Sequence, residues 1–293
     1  GLEDVKMSRY DVLLTEPIHR SINLKSPREL SLKLEEPPIF GDSTSTHEFV
    51  PTFNGYSADG NVTGELVYVN YGRREDFLYV VDQMAKAGKS CAGKIALARY
   101  GKVFRGLKAM MAQSHGFVGL IIYSDPADDG AGRGETYPNG PWRPAESVQR
   151  GSVMFLSIYP GDPRTPGTPS LEKAEATVDE ASWPLPAIPV QPISAHDALP
   201  LMLSFQTTDI PILDQTWQGG LGFKYAVTSK TPVIVNLAVK LRRYIGPITN
   251  VVGKLKGVDE DKSVIVGNHR DAWTFGGADP SSGSAALLEV VKG

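Results

Sequence analysis

Between Gly64 and Tyr123 the apolar residues switch repeatedly between the strand period and the helix period, and no other feature restricts the fold as tightly. Glu65-Leu66-Val67-Tyr68-Val69 reads as a strand. Over Glu75–Ala87, Phe77, Leu78, Val81 and Met84 recur at helical spacing, and Gly88 supplies the stop. Lys94–Tyr100 reads as a second strand, Leu107–Ser114 as a second helix, and Phe117–Tyr123 as a third strand rich in Val and Ile. Strand, helix, strand, helix, strand at this spacing predicts a partly parallel sheet with crossover helices.

The flanking sequence is extended and punctuated. Tyr10–Leu14 and Leu30–Leu34 predict short strands, and Pro37-Pro38 with the polar run Gly41–Thr46 leads to a boundary at Val50-Pro51. Ser124 to Pro192 is irregular and dense in Gly, Pro, Asp and Ser, a length usually kept for a binding surface. Ala195–Leu203 predicts a short helix and Thr231–Leu241 a strand. Two further strands are expected over Asn250–Leu255 and Lys262–Gly267, then an apolar helix from Ser284 to Val291. Its face, with Leu287, Leu288, Val290 and Val291, asks for a partner, so the 293 residues read as a piece of a longer protein.

Composition narrows the function by exclusion. Thirty basic and 33 acidic residues nearly balance, and no window concentrates Lys and Arg, which argues against a nucleic-acid binder. The longest apolar runs are strand-sized, so no membrane contact is expected from this chain. Cys91 is the single cysteine, which excludes an internal disulfide and a multi-thiolate zinc site; we expect a buried thiol. His19, His47, His115 and His196 lack metal-ligand spacing, and no Gly-x-Ser-x-Gly elbow is present.

The chemistry concentrates in Val264-Ile265-Val266-Gly267-Asn268-His269-Arg270-Asp271-Ala272-Trp273-Thr274-Phe275-Gly276-Gly277-Ala278-Asp279-Pro280. A strand is expected to deliver His269 and Asp271 at its end, where ligands bind in open α/β sheets. Two residues apart on an extended segment, they share one face, so Asp271 can accept from the second ring nitrogen of His269 and fix its tautomer. Asp279 follows ten residues after His269 on a Gly-rich turn. A nitrogen donor and a carboxylate suit a hydrolytic zinc site, but they are too few to complete one.

The stretch Gly267–Ala286 resembles the metal-binding segment of the glutamate carboxypeptidases, the N-acetylated alpha-linked acidic dipeptidase group. Agreement continues through Tyr10–Leu14, Leu66–Tyr71, Ala98–Gly106, Tyr123–Asp128 and Val148–Gly151, and so covers nearly the whole chain. The resemblance implies an α/β zinc-exopeptidase domain begun by residues 1–50 and interrupted over 51–243 by a β-rich α/β protease-associated (PA) domain. That peptidase domain resumes, incomplete, over 244–293. It implies two zinc ions per full-length chain, with His269 binding one, Asp279 bridging both, and Asp271 steadying His269. The shared hydroxide would attack the scissile carbonyl, with a Glu base and the remaining ligands lying beyond Gly293, so the fragment alone is expected to be inactive.

The same resemblance assigns Arg105 to the terminal carboxylate of a small acidic peptide, which a guanidinium fork matches well. Where the glutamate-specific enzymes carry Asn after Gln-Arg-Gly, this chain has Ser152, which argues against strict glutamate preference. Asp162–Thr168 resembles a structural calcium loop, with Thr165 and Thr168 at the contributing positions. The family also implies a homodimer on the extracellular or luminal side of a membrane, with a single-pass anchor absent from this chain, and Asn61-Val62-Thr63 is a glycosylation sequon. Two alternatives stay open: a non-catalytic receptor like the transferrin receptor, or an aminopeptidase or dipeptidyl peptidase on the same scaffold.

Overall fold

A computed structural model describes residues 2–46, 50–205, 207–212, 214–259 and 261–292. His47 therefore lies outside the described residues. The chain order is β1 (Glu3–Ser26), β2 (Leu30–Ser31), β3 (Asn54–Gly55), β4 (Gly60–Tyr68), α1 (Arg74–Lys86), β5 (Ile95–Arg99), α2 (Arg105–Ser114), β6 (Gly119–Tyr123), β7 (Gly151–Ser152), β8 (Val190–Ile193), α3 (Ala195–Leu203), β9 (Thr208–Pro211), β10 (Ala226–Ser229), β11 (Ile234–Lys254) and α4 (Ser281–Lys292).

A seven-stranded mixed sheet in the order β2-β1-β11-β4-β5-β6-β8 organises the molecule. The predicted alternation produces its parallel half, β4-β5-β6-β8. All five residues of β5 and of β6 are buried, as expected for parallel strands covered on both faces. Phe77, Val80 and Met84 of α1 and Ala109 and Ala112 of α2 join Leu66, Leu97 and Ile121 in one core. Cys91 is buried, and burial pushes its thiol pKa up.

The antiparallel half departs from expectation. β1 is one continuous strand paired with β11 from Glu3↔Lys254 to Ser26↔Ile234, where isolated short strands were expected. β11 runs unbroken through Tyr244-Ile245-Gly246-Pro247, joining two segments that the sequence seemed to separate. Pro247 is tolerated because it opposes Asp11, whose own N–H points away from β11 to Ser170 O at 3.0 Å. The missing proline donor thus falls outside the ladder. Leu30–Leu34 keeps only two strand residues, because Leu34 N turns to Asp197 Oδ2 at 3.1 Å.

The strand expected over Lys262–Gly267 does not form; the segment is irregular, with Val264 and Ile265 more than 90% exposed. Its pattern suits a strand, but a strand needs a neighbour to complete its hydrogen bonds, and no described residue lies beside it.

The carboxyl ends of β4, β5 and β6 are sealed by polar groups. Arg99 is fully buried and donates to Asn70 Oδ1 (2.9 and 3.1 Å), Thr216 O (2.7 Å), Gln218 O (3.1 Å) and Asp128 Oδ2 (3.3 Å). Asp125 accepts from Tyr123 OH, Tyr225 OH, Ala127 N and Gly220 N. Burial holds the pKa of both tyrosines well up, so they remain donors. The segment Thr216–Tyr225 therefore occupies the crevice in which open α/β sheets usually bind ligands. Arg99→Met leaves four acceptors without their donor, Asn70 Oδ1 among them fully buried. We expect about 3–5 kcal/mol of destabilisation, read as a lower urea midpoint, and an unchanged midpoint would contradict the seal.

Candidate metal and carboxylate site

Beyond β11 the chain wraps back on α4 through Asn268, whose Nδ2 donates to Pro280 O (3.1 Å), Ser284 Oγ (3.0 Å) and His269 O (2.7 Å). Gly283 makes this possible, since a Cβ there would sit 2.3 Å from Asn268 Oδ1. The wrap brings His269 Nε2 to 2.9 Å from Asp279 Oδ1. On the other side of the ring, Nδ1 lies 2.9 Å from Asp271 O and 3.2 Å from Asp271 Oδ1. Slight loss of hydration lowers the His269 pKa, but hydrogen bonds to Asp271 and the Asp279 charge outweigh it and raise it. His269 is 54% exposed and both carboxylates are 89% exposed, so the group is open to an incoming ion.

These residues fit part of a zinc site. Neighbouring donors around one tetrahedral ion with bonds of ~2.0–2.2 Å stand about 3.4 Å apart; at 2.9 Å His269 and Asp279 are in direct hydrogen-bond contact and must part slightly to admit an ion. Asp271 holds Nδ1, leaving Nε2 as the nitrogen facing Asp279. No cluster of three or more His, Cys, Asp or Glu suited to a metal occurs among the described residues. These residues lie on an irregular loop, not on a strand tip as the sequence suggested.

Arg105 opens α2 with its guanidinium over Gly151 and beside the rings of Tyr100 and Phe104, 5.8 and 5.2 Å from their centroids. Arg105 Nη2 donates to Gln149 Oε1 at 3.0 Å, while its buried Nε has no partner among the described residues. Gly151 has φ +142°, and a Cβ there would lie 2.4 Å from Arg105 Cζ. Gly151 and Ser152 form β7, paired in parallel with Asn54 and Gly55 of β3. Ser152 Oγ accepts from Met154 N at 3.1 Å, which fixes the oxygen within its own turn and leaves the O–H to donate. The two-residue β3–β7 ladder escaped sequence reading because neither strand is long enough to show a period.

Trp273, inside the metal-pair segment, packs edge-on against Phe53 (centroids 5.5 Å apart, 62° between planes) and over Gly55. The His269 loop therefore docks on the ladder that carries Ser152. The calcium-like loop lies elsewhere, against β1: Arg164 pairs with Asp162 and donates to Asp11 O. Thr165 Oγ1 is buried without a partner among the described residues, while Thr165 O accepts from Thr168 N at 3.2 Å and Thr168 is exposed. An orphaned hydroxyl suits a hard cation, but Asp162, the carboxylate of the same loop, is already paired with Arg164.

Residues 62–155 match the PA domain family. Across 97% of its length the chain is 42% identical to the "Probable glutamate carboxypeptidase" of Arthroderma benhamiae, covering 40% of that protein. It is 36% identical to "Aminopeptidase NAALADL1" of Mus musculus, over 100% of this chain and 40% of that one. Among solved structures, the aminopeptidase from Aneurinibacillus sp. strain AM-1 overlays with a TM-score of 0.41 and 17% identity, over 90% of this chain and 41% of that one; the likeness is too loose to argue from. The resemblance to the glutamate carboxypeptidase group thus holds over nearly the whole chain, with a PA domain in place, and the chain spans about 40% of the length of the curated relatives it matches.

Gly151→Ala should force both the backbone and Arg105 to move. We expect about 1–3 kcal/mol of destabilisation, seen as a lower thermal midpoint; an unaltered midpoint would mean that Arg105 is free to swing away.

Proposed function

We propose that this homologue of the glutamate carboxypeptidases is the part of a zinc exopeptidase that supplies the first metal ligands and the pocket for the terminal carboxylate of a small acidic peptide. The observation that carries this reading is the approach of His269 Nε2 to Asp279 Oδ1 at 2.9 Å, with Asp271 holding the far side of the ring. His269 and Asp279 would hold zinc, two ions in the whole protein, together with residues outside this chain. When bound, zinc polarises a carbonyl and makes water a nucleophile at neutral pH. Asp271 fixes the His269 tautomer and keeps the ring oriented. Arg105, held flat by Tyr100, Phe104 and Gln149 and only partly buried, would present its guanidinium to a carboxylate.

Joint retention of His269, Asp271 and Asp279 weighs against a receptor that has lost its metal. An aminopeptidase is the second reading, favoured by Ser152 standing where the glutamate-specific enzymes carry Asn, since a short hydroxyl cannot present an amide to the same oxygen. We also propose for the whole protein an extracellular or luminal position as an anchored homodimer, with a structural calcium near Thr165 and Thr168. No helix among the described residues is long and apolar enough to cross a membrane. A glycan on Asn61 would leave its Oδ1 free to keep accepting from Asn236 Nδ2, now at 2.7 Å.

In the full-length protein, metal analysis should find two zinc ions per chain, and His269→Ala should lose at least one; unchanged stoichiometry would remove the basis of the site. Asp271→Asn should weaken zinc binding about 10–100-fold, measured by competition with a chelator, and undiminished affinity would deny Asp271 its orienting role. Arg105→Ala should raise KM for peptides with a free terminal carboxylate far more than for their amides. Equal effects on both would favour the aminopeptidase reading.

A further inference from the structure

Gly55 is glycine for a reason its backbone does not supply. Its φ lies outside the left-handed region, so any residue could adopt the conformation. What excludes a side chain is the indole of Trp273: a Cβ on Gly55 would lie 2.6 Å from Trp273 Cη2 and 3.3 Å from Cζ3. Phe53 closes one side of this notch with its edge-to-face ring contact, and Thr15 Oγ1 approaches within 3.4 Å of the same Cβ position. Phe53 is buried, and Thr15 Oγ1 accepts from Tyr56 N, so the walls are rigid.

The notch connects the two halves of the proposed site. Trp273 is four residues from His269 and six from Asp279 in a loop closed by Asn268. On the other side, Gly55 pairs with Ser152 and its carbonyl accepts from Val153 N at 3.0 Å. Asn54 pairs with Gly151 and donates to Gly151 O at 3.1 Å, directly under the Arg105 guanidinium. A displacement of the indole would therefore change the reach from the metal pair to the carboxylate pocket while leaving each intact.

We propose that Trp273, seated in the notch left by Gly55, is a positioning residue that sets the distance between the metal pair and the Arg105 pocket, and so how much chain fits between the cleaved bond and the free carboxylate. This rests on the exopeptidase reading above. Gly55→Ala in the full-length protein, assayed on an acidic dipeptide and on its C-terminal amide, reads it. Zinc content and KM for the dipeptide should stay near wild type while its kcat falls about 100-fold; turnover of the amide, which has no carboxylate to align, should change less than about threefold. Gly55→Ala combined with Trp273→Leu, which relieves the clash, should recover at least about tenfold of the lost kcat. If Gly55→Ala fails to fold, Trp273→Ala probes the contact from the other side and should give the same split between kcat and KM. Loss of zinc, equal losses on both substrates, or failure of the double variant to recover would overturn the proposal. A wild-type protein without zinc or hydrolysis would instead remove the exopeptidase reading on which it stands.

Discussion

Everything in this molecule hangs from the antiparallel ladder of β1 and β11. It joins residues 3–26 to residues 234–254 across a sequence gap of about two hundred residues, and so clamps both ends of the intervening unit to one twisted ribbon. Its side chains and carbonyls reach three of the surrounding segments. Thr15 holds Tyr56 at the end of β3, Thr249 O accepts from Arg270 in the metal-pair loop, and Asp11 receives Arg164, Ser170 and Lys173 from the calcium-like loop. Long-range pairing is entropically costly to close, and here one closure orders three separate loops.

The sequence exposed what depends on local period and missed what depends on neighbours. β5, β6, α1 and α3 were legible because their apolar residues repeat within the element. The length of β1 was not, because its distal residues, such as Met7, stay exposed and carry no pattern. Val264–Val266 misled in the other direction, having a strand's composition without a strand's partner.

The site divides along the same line. His269, Asp271 and Asp279 stood out as an imidazole and two carboxylates in one Gly-rich segment, but their roles as metal ligands came from the resemblance. Arg105 stood out through resemblance to known relatives, since a lone arginine at a helix start says little by itself. Gly55 and Trp273 gave no signal at all: Asn54-Gly55 looks like a turn, and only the indole above it explains the missing side chain.

The seal around Arg99 and Asp125 has a consequence for how such a scaffold diversifies. With Arg99 and Asp125 each held by four partners, those strand ends behave as a rigid shelf. Variation in this neighbourhood is then left to the small paired edge of β3 and β7, Asn54-Gly55 against Gly151-Ser152.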